Sequence, residues 1–212
     1  NLNNKLDHGW YFHTNKKATS ADNNNDGFRD SPTGEQLNIL NRFQYTNLEK
    51  GLVGFFDFNY VFDERVYGEN EYIDGIIFAE NQNYWGGKTD SEILKINFKF
   101  GYVDPMITYR SLGLQFAYTG IDMGSSFGNR NHDTKQTSIY SNLVYNSIIG
   151  DTRSKIKTGI SLTYDEYDEF IFNNNLSLNN FDIPRIEKSV GAYFEYNYND
   201  LDKINLSAGI RF

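Results

Sequence analysis

The most regular feature of this chain is a two-residue alternation of apolar and polar positions. In residues 51–62, GLVGFFDFNYVF, Phe56 and Phe58 share one parity, whereas Asp57 and Asn59 take the other. The same alternation recurs in residues 93–102, 111–119, 155–165 and 203–212. Alternation sustained over this length predicts β-strands with one apolar and one polar face, and no segment has a convincing helical period.

Parity within each strand predicts which side chains share a face of the sheet. We expect six apolar side chains to face outward, namely Phe56, Phe58, Phe98, Phe100, Phe116 and Ile160. We expect five polar side chains to face the interior, or lumen, namely Asp57, Lys95, Lys99, Gln115 and Lys157.

The connections between the predicted strands alternate between short and long. Short turns are predicted at residues 47–51, 103–108, 150–155 and 199–203, and long connections at 14–35, 67–91, 125–135 and 173–186. This leaves about nine strands, most of roughly ten residues or more, whereas strands of soluble sheets average about five or six. Long strands with short turns at one end are typical of a transmembrane β-barrel. The predicted fold class is all-β, an antiparallel transmembrane β-barrel of which residues 1–212 form one part.

A soluble antiparallel sandwich would give the same alternation, so the aromatic content decides between the two. The chain has 16 Tyr and 17 Phe, and aromatic residues make up 17% of it. In a sandwich these rings would have to pack together in one core, whereas in a barrel they face lipid, with Tyr near the interfaces. The composition therefore favours the membrane barrel.

Composition and motifs argue against several other classes of protein. There is no Cys, so neither a disulfide framework nor thiolate chemistry is available. A net charge of −8 argues against a nucleic-acid surface, which needs clustered Lys and Arg. No apolar run is long enough for a transmembrane helix, and the first residues have no signal-peptide pattern. No catalytic motif is present, and the acidic stretch YDEYDEF is expected to form a charged rim, so an enzyme is not expected.

One stretch, SADNNNDGFRDSP, has the residue types of a metal-binding loop. Asp22, Asn24, Asp26 and Asp30 place oxygen ligands at positions 1, 3, 5 and 9 of a turn whose sixth residue is Gly. Calcium prefers several hard oxygens held in such a turn. The helix-loop-helix form of this site is excluded, because Thr33 replaces the bidentate Glu that its twelfth position requires. An Asn- and Asp-rich turn without an ion remains the alternative.

Ligand-binding candidates come from the aromatic and histidine residues of the predicted loops. Tyr84 and Trp85 stand beside two glycines in the longest loop, where they could bind a large planar ligand or anchor the chain at a membrane interface. His132 is predicted in a long polar loop, where it could contact a ligand or simply be solvated. His8 and His13 have opposite parity in one strand, so they cannot chelate one ion together.

Five stretches resemble TonB-dependent outer-membrane receptors, in the branch of cobalamin- and siderophore-type receptors. They include DERVYGE, KTGISLTYDEYDE and AGIRF, and together they cover residues 22–45, 63–69, 109–149, 157–169 and 187–212. The resemblance runs in order along the chain and falls in the first part of such a receptor's barrel. Members of the family have an N-terminal plug domain, an energy-coupling box and a barrel of about 22 strands. The chain departs from this pattern, because the plug, the box and more than half of the strands are not in it.

The resemblance implies a function in the outer membrane of Gram-negative bacteria, a multi-pass localisation with lipid and lipopolysaccharide around the barrel. It implies TonB-dependent uptake of a scarce, bulky nutrient such as cobalamin or a ferric siderophore, driven by a TonB-type energy-coupling protein acting through the plug. A surface lipoprotein is a further partner that the family implies. Because cobalamin-type receptors have calcium-ordered outer loops, it also favours structural calcium at Asp22, Asn24, Asp26 and Asp30. A passive outer-membrane pore and a soluble calcium-binding β-rich adhesion module are the alternatives.

Overall fold

The computed structural model describes residues 5–72, 84–173, 178–200 and 203–212, and almost all of them form β-strands. The strands are β1 (Leu6–Lys17), β2 (Thr33–Asn47), β3 (Leu52–Gly68), β4 (Gly86–Val103), β5 (Ser111–Phe127), β6 (Arg130–Ile149), β7 (Asp151–Asn173), β8 (Phe181–Asp182), β9 (Arg185–Asp200) and β10 (Ile204–Arg211). Within these ranges the helical structure is one 3-10 turn, Leu48–Lys50. The expected all-β class and the nine main strands are confirmed, with the two-residue β8 in addition.

The strands form a single antiparallel sheet that follows chain order. Each strand pairs with the next from β1 to β7, then β7 pairs with β9 and β9 with β10, while β8 pairs with the loop-side end of β7. The sheet is open, with β1 and β10 at its two edges. Because successive strands run in opposite directions, successive connections lie at alternate ends of the sheet.

Two kinds of connection define the two ends of the sheet. At the turn end, the 3-10 turn Leu48–Lys50, residues 104–110, Gly150 and residues 201–203 join the strands. At the loop end, residues 18–32, 69–85, 128–129 and 174–184 join them, with β8 inside the last of these. The predicted long connection near residues 18–32 and the short turns at 48–50, 104–110 and 150 are therefore confirmed, whereas the predicted connections at 67–91, 173–186 and 199–203 lie partly outside the described residues.

The prediction of a long connection at residues 125–135 is wrong. β5 continues to Phe127 and β6 starts at Arg130, so Gly128 and Asn129 alone turn the chain. Gly128 has a φ of 56°, the left-handed conformation that two-residue hairpins require. The polar residues on both sides of this turn continue the strand ladder, because a strand that extends beyond an apolar belt no longer needs apolar side chains.

The strand register confirms that the two predicted sets of side chains lie on opposite faces. Phe56 lies opposite Phe98, and Phe98 lies opposite Phe116 in the next strand. In the adjacent row Asp57 lies opposite Asn97. We name the face that carries the phenylalanines the belt face, and the other the polar face.

The described part of the chain has no buried hydrophobic core. None of its apolar side chains is fully buried, and many large ones are more than one-third exposed, including Trp10, Phe98 and Ile160. None of the helical structure in the described ranges has the length and apolar character needed to cross a membrane. A single sheet layer buries an apolar face only when something else covers it.

Candidate functional site

The belt face carries a mostly apolar band, interrupted by Asn41 and Ser141 and bounded by tyrosines on both sides. The tyrosines at its loop-end border are Tyr60, Tyr118 and Tyr164, and those at its turn-end border are Tyr45, Tyr102, Tyr145 and Tyr198. Each of β2 to β7, and β9, thus has one border tyrosine near the C-terminal end of its belt segment. Two girdles of amphipathic rings around an apolar band are what a sheet needs at two membrane–water interfaces.

The height of this band matches the apolar layer of an outer membrane. In β2 the belt runs from Leu37 to Tyr45, and in β4 from Leu94 to Tyr102. Eight residue steps span about 26 Å along a strand. With the strands tilted by about 35°, this becomes about 22 Å along the normal, close to the band of about 25 Å on outer-membrane barrels.

The loop-side border of the belt drifts across the sheet in one direction, by zero or two residues from each strand to the next. The first charged belt-face residues beyond it, from β2 to β9, are Glu35, Glu64, Glu92, Asp122, Lys135, Glu166 and Lys188. The cross-strand row through Lys188 passes Phe58 and reaches Asn41 in β2. Asn41 lies six residues from Glu35, so the border shifts by six residues over the six strand steps between β2 and β9.

The turn-side border drifts by the same amount. The row through Phe194 in β9 reaches Asn47 in β2. In β9 the border residue Tyr198 lies four residues from this row toward the turn end. In β2 the border residue Tyr45 lies two residues from it toward the loop end, so the border shifts by six residues in total. A shift of one residue per strand moves the border about 3.3 Å along the strands for every 4.8 Å or so across them. The border therefore lies about 35° from the perpendicular to the strands. The two borders therefore shift by the same amount in the same direction, and the strands lie at about 35° to the normal of both borders, which is about the strand tilt of a transmembrane barrel.

The opposite face is polar across the belt and its side chains bond to one another. Asn97 donates from Nδ2 to Asp57 Oδ1 at 3.0 Å, and Asn59 donates from Nδ2 to Asn38 Oδ1 at 2.9 Å. Arg42 lies 3.8 Å from the other oxygen of Asp57. Such a face suits contact with water or with polar protein rather than with lipid.

At the loop end, the acidic stretch of residues 22–30 forms a turn held by its own backbone. Asp22 accepts the N–H groups of Asp26 at 3.1 Å and Gly27 at 2.9 Å, and Asp26 accepts that of Phe28 at 2.8 Å. Asp30 Oδ2 accepts the N–H and the side-chain amide of Asn23, at 2.8 and 2.6 Å. Left-handed φ angles at Asn25 and Gly27 close the turn.

The four predicted calcium ligands thus lie in one turn, and their oxygens face backbone donors in it. Across the described ranges, no group of three or more His, Asp or Glu side chains is close enough together to hold a metal ion. In this conformation the turn is held by hydrogen bonds without an ion, as in the alternative of a polar turn. Calcium binding stays a prediction.

This turn is joined to the start of the longest loop. The backbone N–H of Asn70 donates to Gly27 O at 2.9 Å, and its side-chain amide donates to Asp22 Oδ2 at 3.0 Å. Arg29 Nη2 donates to the backbone oxygens of Asn70 and Tyr72, at 3.2 and 2.7 Å. Residues 18–32 and 69–72 are therefore linked by four hydrogen bonds.

Four aromatic rings lie beside the contact between residues 18–32 and 69–72, and we name them the ring platform: Phe28, Tyr67, Trp85 and Phe127. Phe28 and Trp85 lie 6.5 Å apart between ring centroids, and Tyr67 and Phe127 stack at 6.1 Å with 9° between their planes. Gly87 of β4 lies between Tyr67 of β3 and Phe127 of β5. A Cβ added at Gly87 would lie 2.8 Å from the Phe127 ring, so a larger residue there would disturb the stack. Trp85 is fixed by its backbone N–H, which donates to Glu69 Oε1 at 3.0 Å.

The ligand-binding candidates from the sequence have different surroundings. Tyr84 and Trp85 are about half exposed at the loop end, and Trp85 belongs to the ring platform. His132 lies inside β6 rather than in a loop, because the hairpin there is only two residues long. Its Nε2 lies 3.1 Å from Thr134 Oγ1 and 3.5 Å from Glu169 Oε2. His8 and His13 fall on opposite faces of β1, as predicted.

Sequence reasoning missed Phe28, Tyr67 and Phe127 as parts of a site. Tyr67 and Phe127 occupy the parity of the polar face, at positions where aromatic residues break its polar pattern. That break was the available signal. Phe28 lies in a turn without periodicity, so no pattern placed it beside Trp85.

Comparison with models of known protein families gave no match, and comparison with curated proteins and with solved structures gave none either.

Proposed function

We propose that this chain is part of the wall of an outer-membrane β-barrel that takes up a scarce, bulky nutrient. The observation that carries the membrane placement is the belt: a mostly apolar band of near-constant height, bordered by tyrosines, whose two borders shift together so that the strands lie at about 35° to their normal. A soluble sheet has no reason to keep both borders parallel, because its apolar residues follow the outline of a core.

The absence of a core among the described residues supports the same placement. Side chains such as Phe98 and Ile160 keep more than one-third of their surface exposed although they lie in the middle of the belt. Contact with lipid tails would remove that surface from water without a second protein layer. The unpaired edges of β1 and β10 would in turn be covered by further strands of a closed barrel, because open edges do not occur in hydrocarbon.

The uptake function rests on the resemblance to TonB-dependent receptors, in the cobalamin- and siderophore-type branch. On this proposal the loop end faces the medium and binds the ligand, and the polar face lines the lumen. The turn end faces the periplasm, where a TonB-type protein acts through a plug domain. Lipopolysaccharide surrounds the loop-side border, and a surface lipoprotein is a candidate partner at the loops.

The two tryptophans of the chain allow a direct test of the membrane placement. Trp10 lies on the belt face of β1 and Trp85 lies at the loop end. We expect lipids brominated on their acyl chains to quench the fluorescence of a Trp85→Phe variant, in which Trp10 remains. The matched variant, Trp10→Phe, should keep its fluorescence because Trp85 lies beyond the apolar layer. Equal quenching of the two variants, or none of either, would contradict the proposal.

Transport needs a second experiment, because a passive pore would give the same quenching. In cells that carry the full-length protein, uptake of a nutrient at limiting concentration should stop when the proton gradient is collapsed. Uptake that continues at the same rate would leave the pore as the better reading.

A further inference from the structure

We infer that the ring platform is a binding surface for a cationic organic ligand with a flat ring system. This inference deepens the proposed uptake function by naming the class of ligand, and it rests on that function for the exposure of the loop end to the medium.

The platform has the form of a binding surface because three of its four rings are exposed and all four are held in place. Phe28, Trp85 and Phe127 are 43%, 52% and 49% exposed. Rings that merely completed the packing of a loop would be covered by it. Three separate connections supply these rings, so the platform exists only when residues 18–32, the end of the longest loop and the hairpin at Gly128 lie together.

Several contacts fix the platform without filling it. Phe28 pairs with Glu69 in an isolated bridge, and the N–H of Glu69 donates to Trp85 O at 2.9 Å. The indole of Trp85 lies against Gly128, where an added Cβ would be 3.2 Å from its Nε1. The N–H of Gly128 donates to Gly86 O at 2.9 Å, which ties the hairpin to the same place. A surface held in advance loses little conformational entropy when it binds a ligand.

The charge around the platform selects the sign of the ligand. In residues 18–32, 69–72, 84–85 and 127–130 there are five acidic side chains and two basic ones: Asp22, Asp26, Asp30, Glu69 and Glu71 against Arg29 and Arg130. The Nε and Nη1 atoms of Arg29 are buried, and its Nη2 is used by two backbone oxygens. An approaching ligand therefore meets aromatic faces and carboxylates, both of which attract a cation.

Three probes separate the contributions of ring and charge. They are a planar acridinium dye of charge +1, a planar pyrene sulfonate of charge −1, and tetraethylammonium, which has the positive charge without a ring. Binding to the full-length protein in calcium-free detergent solution, in which the carboxylates of residues 22–30 hold no ion, is followed by calorimetry, with protein stability checked by thermal unfolding. We expect the acridinium dye to bind about tenfold more tightly than either other probe.

Two variants test the residues. Trp85→Leu should weaken binding of the acridinium dye by about tenfold, as expected for loss of a cation–π contact with a desolvated cation. Glu69→Gln keeps an oxygen for the Trp85 N–H but removes one negative charge, so it should weaken both cationic probes by a smaller factor and should not weaken the pyrene sulfonate. Trp10→Phe, on the belt face, is the control and should bind the dye like the wild type.

Two results would overturn the inference: the pyrene sulfonate binding as tightly as the acridinium dye, or Trp85→Leu binding the dye like the wild type. Failure of the membrane proposal is visible separately, because it appears as unquenched Trp10 in brominated lipid. Quenched Trp10 together with unselective probe binding would leave the membrane placement standing and remove only the ligand class.

Discussion

A lysine at Phe98 should destabilise the protein far more than a lysine at the adjacent Asn97. Phe98 lies at the centre of the belt in β4, between Phe56 and Phe116 of the neighbouring strands. Asn97 lies on the polar face between Lys95 and Lys99. The two substitutions thus introduce the same side chain at the same depth, on opposite faces of one strand.

The magnitude follows from the exposed surface of Phe98. An aromatic side chain has about 200 Å² of surface, and Phe98 leaves 37% of its own uncovered by protein. Lipid contact over those roughly 70 Å² is worth about 2 kcal/mol at about 25 cal/mol per Å². A lysine at the midplane of a barrel costs about 2–4 kcal/mol in addition. Phe98→Lys should therefore cost about 4–6 kcal/mol, whereas Asn97→Lys should stay within about 0.5 kcal/mol.

The assay is equilibrium unfolding by urea of the full-length protein folded into short-chain lipid vesicles. Free energies of unfolding for the wild type and both variants are compared at constant slope, so that a change in midpoint reports stability. Equal destabilisation by the two lysines would refute the assignment of faces to lipid and lumen. Greater destabilisation by Asn97→Lys would mean that the polar face is the one packed against an apolar partner.

Three further predictions concern the turns and the acidic loop. Gly51→Ala should be more destabilising in urea than Gly150→Ala: both glycines have left-handed φ angles, which cost other residues about 1–2 kcal/mol, but only at Gly51 would the new Cβ overlap the backbone oxygen of Val103. At the turn end, two backbone N–H groups lower the pKa of Asp104. The ionised carboxylate therefore stabilises the turn above its unfolded pKa of about 4, and this stabilisation is lost as pH falls through the lower folded value. Hydrogen-exchange protection of the turn should fall with acid in the wild type but not in Asp104→Asn. Calorimetric titration with calcium should give binding of modest affinity that Asp22→Ala abolishes, and identical heats in both proteins would show a polar turn without an ion.

The arrangement of the belt could be predicted from the sequence because a strand has a fixed period. Once Phe56 and Asp57 were placed on opposite faces, every residue of β3 followed, and the hairpin turns carried the same parity into β4 and β5. The drift of the belt borders could not be predicted in this way. The drift depends on the register between neighbouring strands. A change of one or two residues in a short turn such as that at Gly150 would change this register.

The candidate site was harder to predict because its parts are distant in sequence. The turn that carries Asp22 was visible as a motif, but its connection to Asn70 depends on a loop without periodicity. The polar sequence around His132 predicts a loop, but His132 lies in β6, because a strand that extends beyond an apolar band can be polar on both faces. The dipeptide Gly128-Asn129 is a sequence signal for a two-residue hairpin, and a hairpin at that point places His132 in the following strand.

The aromatic residues near the loop end belong to two groups with different tasks, and parity separates them. Tyr60, Tyr118 and Tyr164 lie on the belt face at its border, where an amphipathic ring is stable between lipid and water. Tyr67 and Phe127 lie two or more rows further out on the polar face, with Gly87 between them. If the belt meets lipid, rings on the polar face cannot reach it, and interface anchoring no longer explains why they are there. In the proposed orientation, the exposed ring of Phe127 lies at the mouth of the lumen, where a ligand would enter.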